Sequence, residues 1–273
     1  MTETKQDYIY DPSSESELTR LRKLEALNDP ATIAHLEAVG VAPGWRCLEV
    51  GGGAGSIARW LCERVGAEGR VVATDLDVRF LEEIDAPNLE VRRHDILEDE
   101  LEQGAYDLVH SRFLLEHLAG YREALAKMVD ALAPGGWIVV EDVDFALAIM
   151  GDADERPGYP PESIPVAAEM SQRLGGLAKV RGIQAELGRR LPALLAEAGL
   201  EEIGAEGRTN LMWTGTEEAE LGRLSLERVT RLAADAGVIT EEDRDRYMKV
   251  VTEPGQASFS PLRFGAWGRK PRG

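Results

Sequence analysis

The residues that first suggest chemistry form the run LEVGGGAGSIARWL at 48–61. In it, Glu49, Gly51, Gly53 and Gly55 follow the pattern Glu-x-Gly-x-Gly-x-Gly. Glycines let the backbone turn sharply and approach a ligand, because no Cβ is in the way. The helix predicted directly after the run adds amide groups suited to a carboxylate or a phosphate. The pattern therefore predicts a ligand-binding turn between a strand and a helix.

An acidic residue ends the next predicted strand, RVVATD at 70–75. The carboxylate of Asp75 can accept hydrogen bonds from both hydroxyls of a ribose. These features alone leave several ligands open, because the dinucleotide fingerprint G-x-G-x-x-G and a simple tight turn contain similar glycines. The third glycine of that fingerprint would fall at Ser56, and capping of a helix is the lesser alternative for Asp75.

A second aspartate, Asp95, follows the third predicted strand, where it can accept a hydrogen bond from the exocyclic amine of adenine. The segments YDLVHSRFLLEHL and LAPGGWIVVEDV then supply a fourth and a fifth strand. In this order the segments resemble the successive motifs of class I S-adenosylmethionine (SAM) dependent methyltransferases. The resemblance covers about residues 44–144 and depends on the ordered set, since each motif alone is unspecific.

The resemblance implies a SAM site in which each motif has a task. The glycine turn would hold the methionine part of SAM, Asp75 the ribose and Asp95 the adenine. S-adenosylhomocysteine (SAH) would be the product. The cofactor-contacting residues implied in this way are Tyr8, Glu49, Gly51, Gly53, Gly55, Asp75, Leu76, Asp95, Ile96, His110, Ser111 and Arg112.

Several of these assignments follow from position within the family's motifs. Leu76 and Ile96 would flank the adenine ring, while Ser111 and Arg112 would offer backbone carbonyls to the SAM amino group. The start of the chain, YIYDPSSESELTRL, is similar to the leader of bacterial members, in which a tyrosine closes over the cofactor. Tyr8 is the corresponding candidate, and a packing role for it is equally open.

Methyl transfer needs an aligned acceptor and the exclusion of water, because the sulfonium already activates the methyl group. An acceptor that carries a proton also needs a base, and His117 in FLLEHL is the candidate, with ordering of the local turn as its alternative role. The carboxylates of Glu141, Asp142 and Asp144 are hard oxygen ligands. They form no recognisable metal motif, so we expect solvated or capping groups there and no metal site.

Alternating strands and helices must position these residues. Buried strands joined by helices pack as a parallel sheet covered on both faces, and the last segment, SFSPLRFGAWGRK, is expected to be an edge or antiparallel strand. We predict an α/β fold with a doubly wound, mostly parallel, seven-stranded sheet and helical cap insertions. Two helices separated at Pro30 should precede the first strand, and DVRFLEEI should form a short helix.

Four segments follow from this pattern. Residues 1–40 are expected to form an N-terminal helical lid, and 41–144 the SAM-binding α/β core. A lid or substrate insertion, rich in glycine and proline at its start, is expected at 145–186. Residues 187–273 should complete the sheet and carry a helical cap insertion at 217–253.

Composition limits the partners. The chain has 273 residues, of which 44% are hydrophobic and 29% charged, and its net charge of −18 argues against a nucleic-acid substrate. No long apolar stretch and no signal peptide are evident, so no membrane partner and a cytoplasmic location are expected. Cys47 and Cys62 are expected to be buried free thiols. A homodimer is left open.

Methyl transfer from SAM to a small molecule, in secondary metabolism, is the leading prediction. A SAM-binding protein that does not methylate, with a structural cofactor or a cyclase-type role, is the main alternative, because fold and cofactor do not guarantee chemistry. Methylation of a macromolecule is a further alternative. A nicotinamide-dependent oxidoreductase is disfavoured by Ser56 and by Asp95 with its surrounding motif.

Overall fold

The computed structural model describes residues 15–145, 163–255 and 257–273. Seven strands form one sheet, and two short strands pair separately. The strands are β1 (Arg46–Val50), β2 (Arg70–Asp75), β3 (Leu89–Arg93), β4 (Tyr106–Arg112), β5 (Leu132–Asp144), β6 (Glu201–Arg208), β7 (Leu211–Trp213), β8 (Ala257–Phe259) and β9 (Leu262–Arg269). The large sheet has the order β3-β2-β1-β4-β5-β9-β6, in which β9 runs antiparallel to both of its neighbours and the other pairs are parallel.

Seven α-helices and one short 3-10 helix are present in the described residues, the latter at Leu115–His117. The α-helices are α1 (Glu15–Ala38), α2 (Ser56–Val65), α3 (Tyr121–Ala131), α4 (Ile164–Val180), α5 (Leu187–Glu197), α6 (Glu217–Asp235) and α7 (Glu241–Thr252). The described residues divide into two compact units. One comprises 15–24, 163–181, 210–255 and 257–260, and the other, which holds the large sheet, comprises 25–145, 182–209 and 261–273.

The central strands of the large sheet are buried on both faces, which is typical of parallel strands covered by helices. Leu48 of β1 and Val109 of β4 belong to a cluster that includes residues of α3 and α5. Their neighbours Cys47 and Leu108 point to the other face and join residues of α1 and α2. Burial of each large apolar side chain stabilises the fold by about 1.5–3 kcal/mol, so these two clusters hold the strand ends in place.

The first unit is mainly helical. Ala167 and Met170 of α4 pack with Ala233 and with Tyr247 of α7. Strands β7 and β8 pair antiparallel, and Thr240 and Asp243 form a capping box at the start of α7.

The seven-stranded, mostly parallel sheet confirms the predicted fold class. The final strand is antiparallel as expected, but it lies inside the sheet and leaves β6 at the edge. Cys47 and Cys62 are buried and free, as predicted, and burial raises the pKa of Cys62 to about 11. No helix among residues 15–145, 163–255 and 257–273 is long and apolar enough to cross a membrane.

Two local predictions are wrong. Pro30 lies inside one continuous helix, α1, although an interior proline costs about 3 kcal/mol. Contacts on either side of it offset this cost, because Asp29 bonds to Ser56 and Leu36 is buried in the core. The segment DVRFLEEI forms turns instead of a helix, since Asp77 folds back onto the backbone and side chain of Arg79.

Candidate functional site

The glycine run forms a tight turn between β1 and α2. Gly51, Gly53 and Gly55 have φ angles of 76°, 56° and 89°, a region that side-chain-bearing residues rarely adopt. The backbone N–H groups of Gly51 and Gly52 both donate to the carbonyl of Thr74 at 2.9 Å. The turn is therefore anchored to the neighbouring strand, and its glycines leave one side of the backbone without side chains.

Two glycine substitutions separate the cost of backbone strain from the cost of a clash between an added Cβ and its neighbours. A Cβ added at Gly55 would lie 2.5 Å from Ile84 Cδ1, whereas at Gly40, with a φ of 86°, an added Cβ meets nothing within 4 Å. We expect Gly40→Ala to lower the free energy of unfolding by about 1 kcal/mol, from backbone strain alone, and Gly55→Ala to lower it by about 2 kcal/mol or more. Urea unfolding of the two variants measures the difference. Equal losses would show that the turn has room for a side chain.

Asp75, at the end of β2, lies directly against the turn. Its Oδ2 accepts a hydrogen bond from the N–H of Gly53 at 2.9 Å, and its Oδ1 accepts one from the N–H of Asp77 at 3.1 Å. Burial raises the pKa of Asp75, although the bonds from Asp77 and Gly53 oppose this. A carboxylate offers about four acceptor positions, so further donors can still bind to it.

Asp95 lies one strand further along the same edge. The N–H of His94 donates to the carbonyl of Asp75 at 3.0 Å, and Asp95 Oδ1 accepts from the N–H of Leu97 at 3.0 Å. The two proposed ring-flanking residues differ in their surroundings. Leu76 is 49% exposed, whereas Ile96 is only 4% exposed and packs in the core. The side chain of Leu76 can therefore contact a ligand, whereas at most a small part of the Ile96 side chain is accessible to one.

Three consecutive residues at the end of β4, namely His110, Ser111 and Arg112, have different surroundings. His110 is fully buried, with its Nδ1 2.5 Å from Glu49 Oε2. Ser111 is also buried, and its Oγ has no hydrogen-bond partner in the described part of the chain. Arg112 donates from Nη2 to Asp29 and from Nη1 to Thr32, so its side chain is held by α1. Only the backbone of Arg112 is left for a ligand.

Helix α1 also supports the turn, which the sequence did not indicate. Glu25 accepts a hydrogen bond from the N–H of Ser56 at 3.0 Å, and Asp29 accepts one from its hydroxyl at 3.0 Å. Burial raises the pKa of Glu25, and the bond from Ser56 lowers it in part. The spacing of Glu25 and Asp29, four residues apart on one helix face, is the only sequence signal of this support.

A buried acidic pair lies next to the candidate base. The N–H of Glu116 donates to Asp142 Oδ1 at 3.3 Å, and Glu116 Oε2 accepts from the N–H of Val143 at 3.0 Å. His117 Nε2 is 3.3 Å from Glu116 Oε1. Burial raises the pKa of Glu116 well above its usual range, and the charge of Asp142 raises it further. The pair therefore retains a proton far above the ordinary titration range of carboxyls.

The expectation of solvated carboxylates at the end of β5 is wrong. Glu141, Asp142 and Asp144 are all buried. Each has partners within the fold: Glu141 contacts histidines, Asp142 pairs with Glu116, and Asp144 binds Arg189 at 2.9 Å. Within the described ranges, no group of three or more His, Cys, Asp or Glu side chains is placed to hold a metal ion.

Because the pKa of Glu116 is raised, the free energy of unfolding is expected to depend on pH. Because the folded pKa of Glu116 is above the unfolded value of about 4.3, folding favours the protonated group, and its contribution is lost as pH rises through the folded pKa. Glu116→Gln, which cannot ionise, is therefore expected to be more stable relative to wild type at pH 8 than at pH 5. Denaturant unfolding at both pH values, with the exposed Glu123→Gln as control, measures this. A gain that does not grow with pH would contradict a raised pKa at Glu116.

Of the residues singled out in the sequence, the structure brings the glycine turn, Asp75 and the end of β4 to one edge of the sheet. Tyr8 lies outside the described residues.

A family model described as a methyltransferase domain matches residues 14–203, which is more than half of the chain. The chain belongs to the methyltransferase family. Members of this family use SAM as the methyl donor, and the side-chain-free turn beside the Asp75 carboxylate fits an adenosyl cofactor.

Similarity to individual methyltransferases agrees with this assignment. The chain is 29% identical over 146 residues to methyltransferase str2 of Strobilurus tenacellus, covering 52% of the chain and 46% of that protein. It is 30% identical over 113 residues to the ubiquinone/menaquinone biosynthesis C-methyltransferase UbiE of Ectopseudomonas mendocina, covering 38% and 44%. The matched region thus spans less than half the length of these curated relatives.

The fold is shared with solved methyltransferases. A SAM-dependent methyltransferase from Aquifex aeolicus superposes with a TM-score of 0.51 at 18% identity, covering 95% of this chain and 98% of that one. At this level of identity the likeness concerns the fold, and the site has to be argued from the chain's own residues.

Proposed function

We propose that this protein transfers the methyl group of SAM to a small-molecule acceptor. The observation that supports this most directly is the hydrogen bond between Gly53 and Asp75, which joins the glycine turn to a partly buried carboxylate at the carboxyl ends of β1 and β2. In open α/β sheets, ligands bind at this edge of the sheet. Bound SAM supplies a methyl group on a sulfonium, which is already activated for transfer.

The contacts proposed for the cofactor follow the edge of the sheet. Asp75 would accept the ribose hydroxyls and Asp95 the adenine amine, with the exposed Leu76 and the rim of Ile96 beside the ring. The methionine part would lie along the turn, with Glu49 below it and Ser111 at its amino group. Proposed contacts further comprise Gly51, Gly53, Gly55, His110, the backbone of Arg112, and Tyr8.

His117 stays the candidate base. Its Nε2 lies 3.3 Å from Glu116, a carboxyl group whose proton is retained by burial. A neighbour of this kind can orient the imidazole, although a purely structural role for His117 remains the alternative to be tested. The role of this residue depends on whether the acceptor carries a proton that must leave.

The acceptor is proposed to be a small molecule, and its class is open. UbiE is by its name a C-methyltransferase of quinone biosynthesis, which supports a small organic acceptor here. The net charge of −18 disfavours nucleic acids.

The segments are proposed to have different tasks. Segments 145–186 and 217–253 would select the acceptor, 1–40 would act as a lid, and 41–144 and 187–273 would form the core. A cytoplasmic location, supported by two free thiols, and a homodimer are further proposals.

Ligand-dependent unfolding tests the proposal. We expect SAM and SAH to raise the melting temperature of the full chain and NAD to leave it unchanged, because only ligands that bind the folded state stabilise it. SAH release over a panel of phenols, thiols, amines and quinols then tests transfer. Stabilisation without SAH release over a broad panel would favour the non-methylating alternative. Stabilisation by NAD instead of SAM would overturn the proposal.

A further inference from the structure

Four ionisable side chains form a buried line behind the glycine turn. His110 Nδ1 lies 2.5 Å from Glu49 Oε2, and its Nε2 lies 3.9 Å from Glu141 Oε2. On the other side of the same carboxylate, His35 Nδ1 lies 2.6 Å from Glu141 Oε1. Acid and histidine thus alternate, in the order Glu49, His110, Glu141, His35, across strands β1, β4 and β5 to helix α1.

The far end of the line opens on a small cavity. His35 Nε2 is 3.3 Å from Glu206, which is 51% exposed, and both line a cavity of about 20 Å³, room for one water molecule. The wall includes Phe113, which has a φ of 55° and donates its N–H to the carbonyl of Glu141 at 2.7 Å. A side chain at Gly265 would overlap the His35 ring, so a glycine is needed there. These features show that the line is closely fitted at its His35 end.

His110 is placed to carry a proton. Burial lowers its pKa, but the charges of Glu49 and Glu141 outweigh burial and raise the pKa to about 9. The same contacts from His110 and His35 hold the pKa of Glu141 well below its usual range despite burial. At neutral pH the His110 imidazolium therefore lies between two carboxylates.

Several elements packed around the line contribute charged groups. Glu49 comes from β1, Glu141 from β5, His35 from α1 and Glu206 from β6. Arg208 of β6 and Arg263 of β9 line the cavity beside His35. Arg112, on β4, lies close enough to Glu141 to lower its pKa and donates to Thr32, whose hydroxyl lies 2.5 Å from Glu141. His110 itself faces only the first two of these groups, and its Nε2 has no hydrogen-bond partner in the described ranges.

We propose that His110 is a positioning residue of the cofactor site, which holds Glu49 through a proton that is released when the amino group of the cofactor binds. This inference rests on the proposed function, in which the methionine part of SAM or SAH binds at the turn above Glu49. An ammonium group that arrives there competes with the imidazolium for the same carboxylate. Two like charges close together in a buried site disfavour each other, so the imidazolium gives up its proton to solvent.

Calorimetry of SAH binding in two buffers of different ionisation enthalpy, at pH 8.0, counts this proton. The wild type is expected to release roughly half a proton or more per SAH bound, because the pKa of His110 falls through the measured pH. His110→Asn keeps a donor toward Glu49 but cannot titrate. This variant is expected to bind SAH with the proton count reduced by that amount. Any change in the protonation of the SAH amino group is common to both proteins and cancels.

A ligand control keeps the test valid if His110→Asn does not fold. 5′-Methylthioadenosine has the adenosine part of SAH but lacks the amino-acid part with its α-ammonium group, so its binding to wild type is expected to release no proton. Equal proton counts for SAH in wild type and His110→Asn, or equal counts for the two ligands in wild type, would overturn the inference. Absence of any SAH binding to wild type would instead overturn the proposed function.

Discussion

Replacement of Asp75 by asparagine is expected to weaken SAH binding by one to two orders of magnitude. Asparagine keeps an oxygen that can accept the bond from Gly53, so the turn should persist. It loses the charge, and hydrogen bonds to a charged group contribute about 1.5–3 kcal/mol each. Calorimetry at pH 7 measures the affinity, and thermal unfolding without ligand verifies that the fold is intact.

The matched control for this change is Asp77→Asn. Asp77 lies two residues further along and pairs with Arg79 at the surface, so its removal takes away a similar charge without an acceptor at the turn. We expect a change in SAH affinity of less than about threefold, in line with the small free energy of exposed ion pairs. If Asp75→Asn bound SAH as tightly as this control, the ribose assignment would have to be given up.

Truncation of Glu141 is expected to cause a large loss of stability in the sheet unit. Glu141→Ala leaves two histidines and the hydroxyl of Thr32 without their shared partner in a buried site. Breaking a buried ion pair by removal of one member destabilises proteins by about 3–5 kcal/mol. Urea unfolding at pH 7 is the measurement, since neutral pH keeps His110 in its protonated state.

Glu206→Ala tests whether burial is the reason for the large stability loss expected of Glu141→Ala. Glu206 contacts the same imidazole, His35, but is half exposed. The loss expected from its removal is below about 1 kcal/mol, because solvent screens an exposed pair. Comparable losses in the two variants would mean that the buried line contributes no more than an ordinary surface contact.

Local pattern was enough to predict much of this protein. The motifs on successive strands implied the methyltransferase family and the parallel sheet, because strand periodicity and glycine turns depend on neighbours in the chain. The meeting of the glycine turn with Asp75 also follows, since the carboxyl ends of adjacent parallel strands share one edge. Local pattern gave wrong predictions at Pro30, where tertiary contacts outweighed propensity, and in DVRFLEEI, where local bonds between Asp77 and Arg79 favour turns.

Short-range spacing predicted the fold class, the family and the edge of the sheet at which the candidate site residues meet. Which charges are buried, and with which partners, became clear only from the folded arrangement. His35 and Glu141 are 106 residues apart, and no spacing rule joins them. The carboxylates at the end of β5 looked like surface groups, but α1 covers Glu141, and Glu116 and α5 supply the partners of Asp142 and Asp144. Burial and long-range pairing depend on the packing of whole elements, and packing sets the charge of His110 and Glu141 and the position of Glu49.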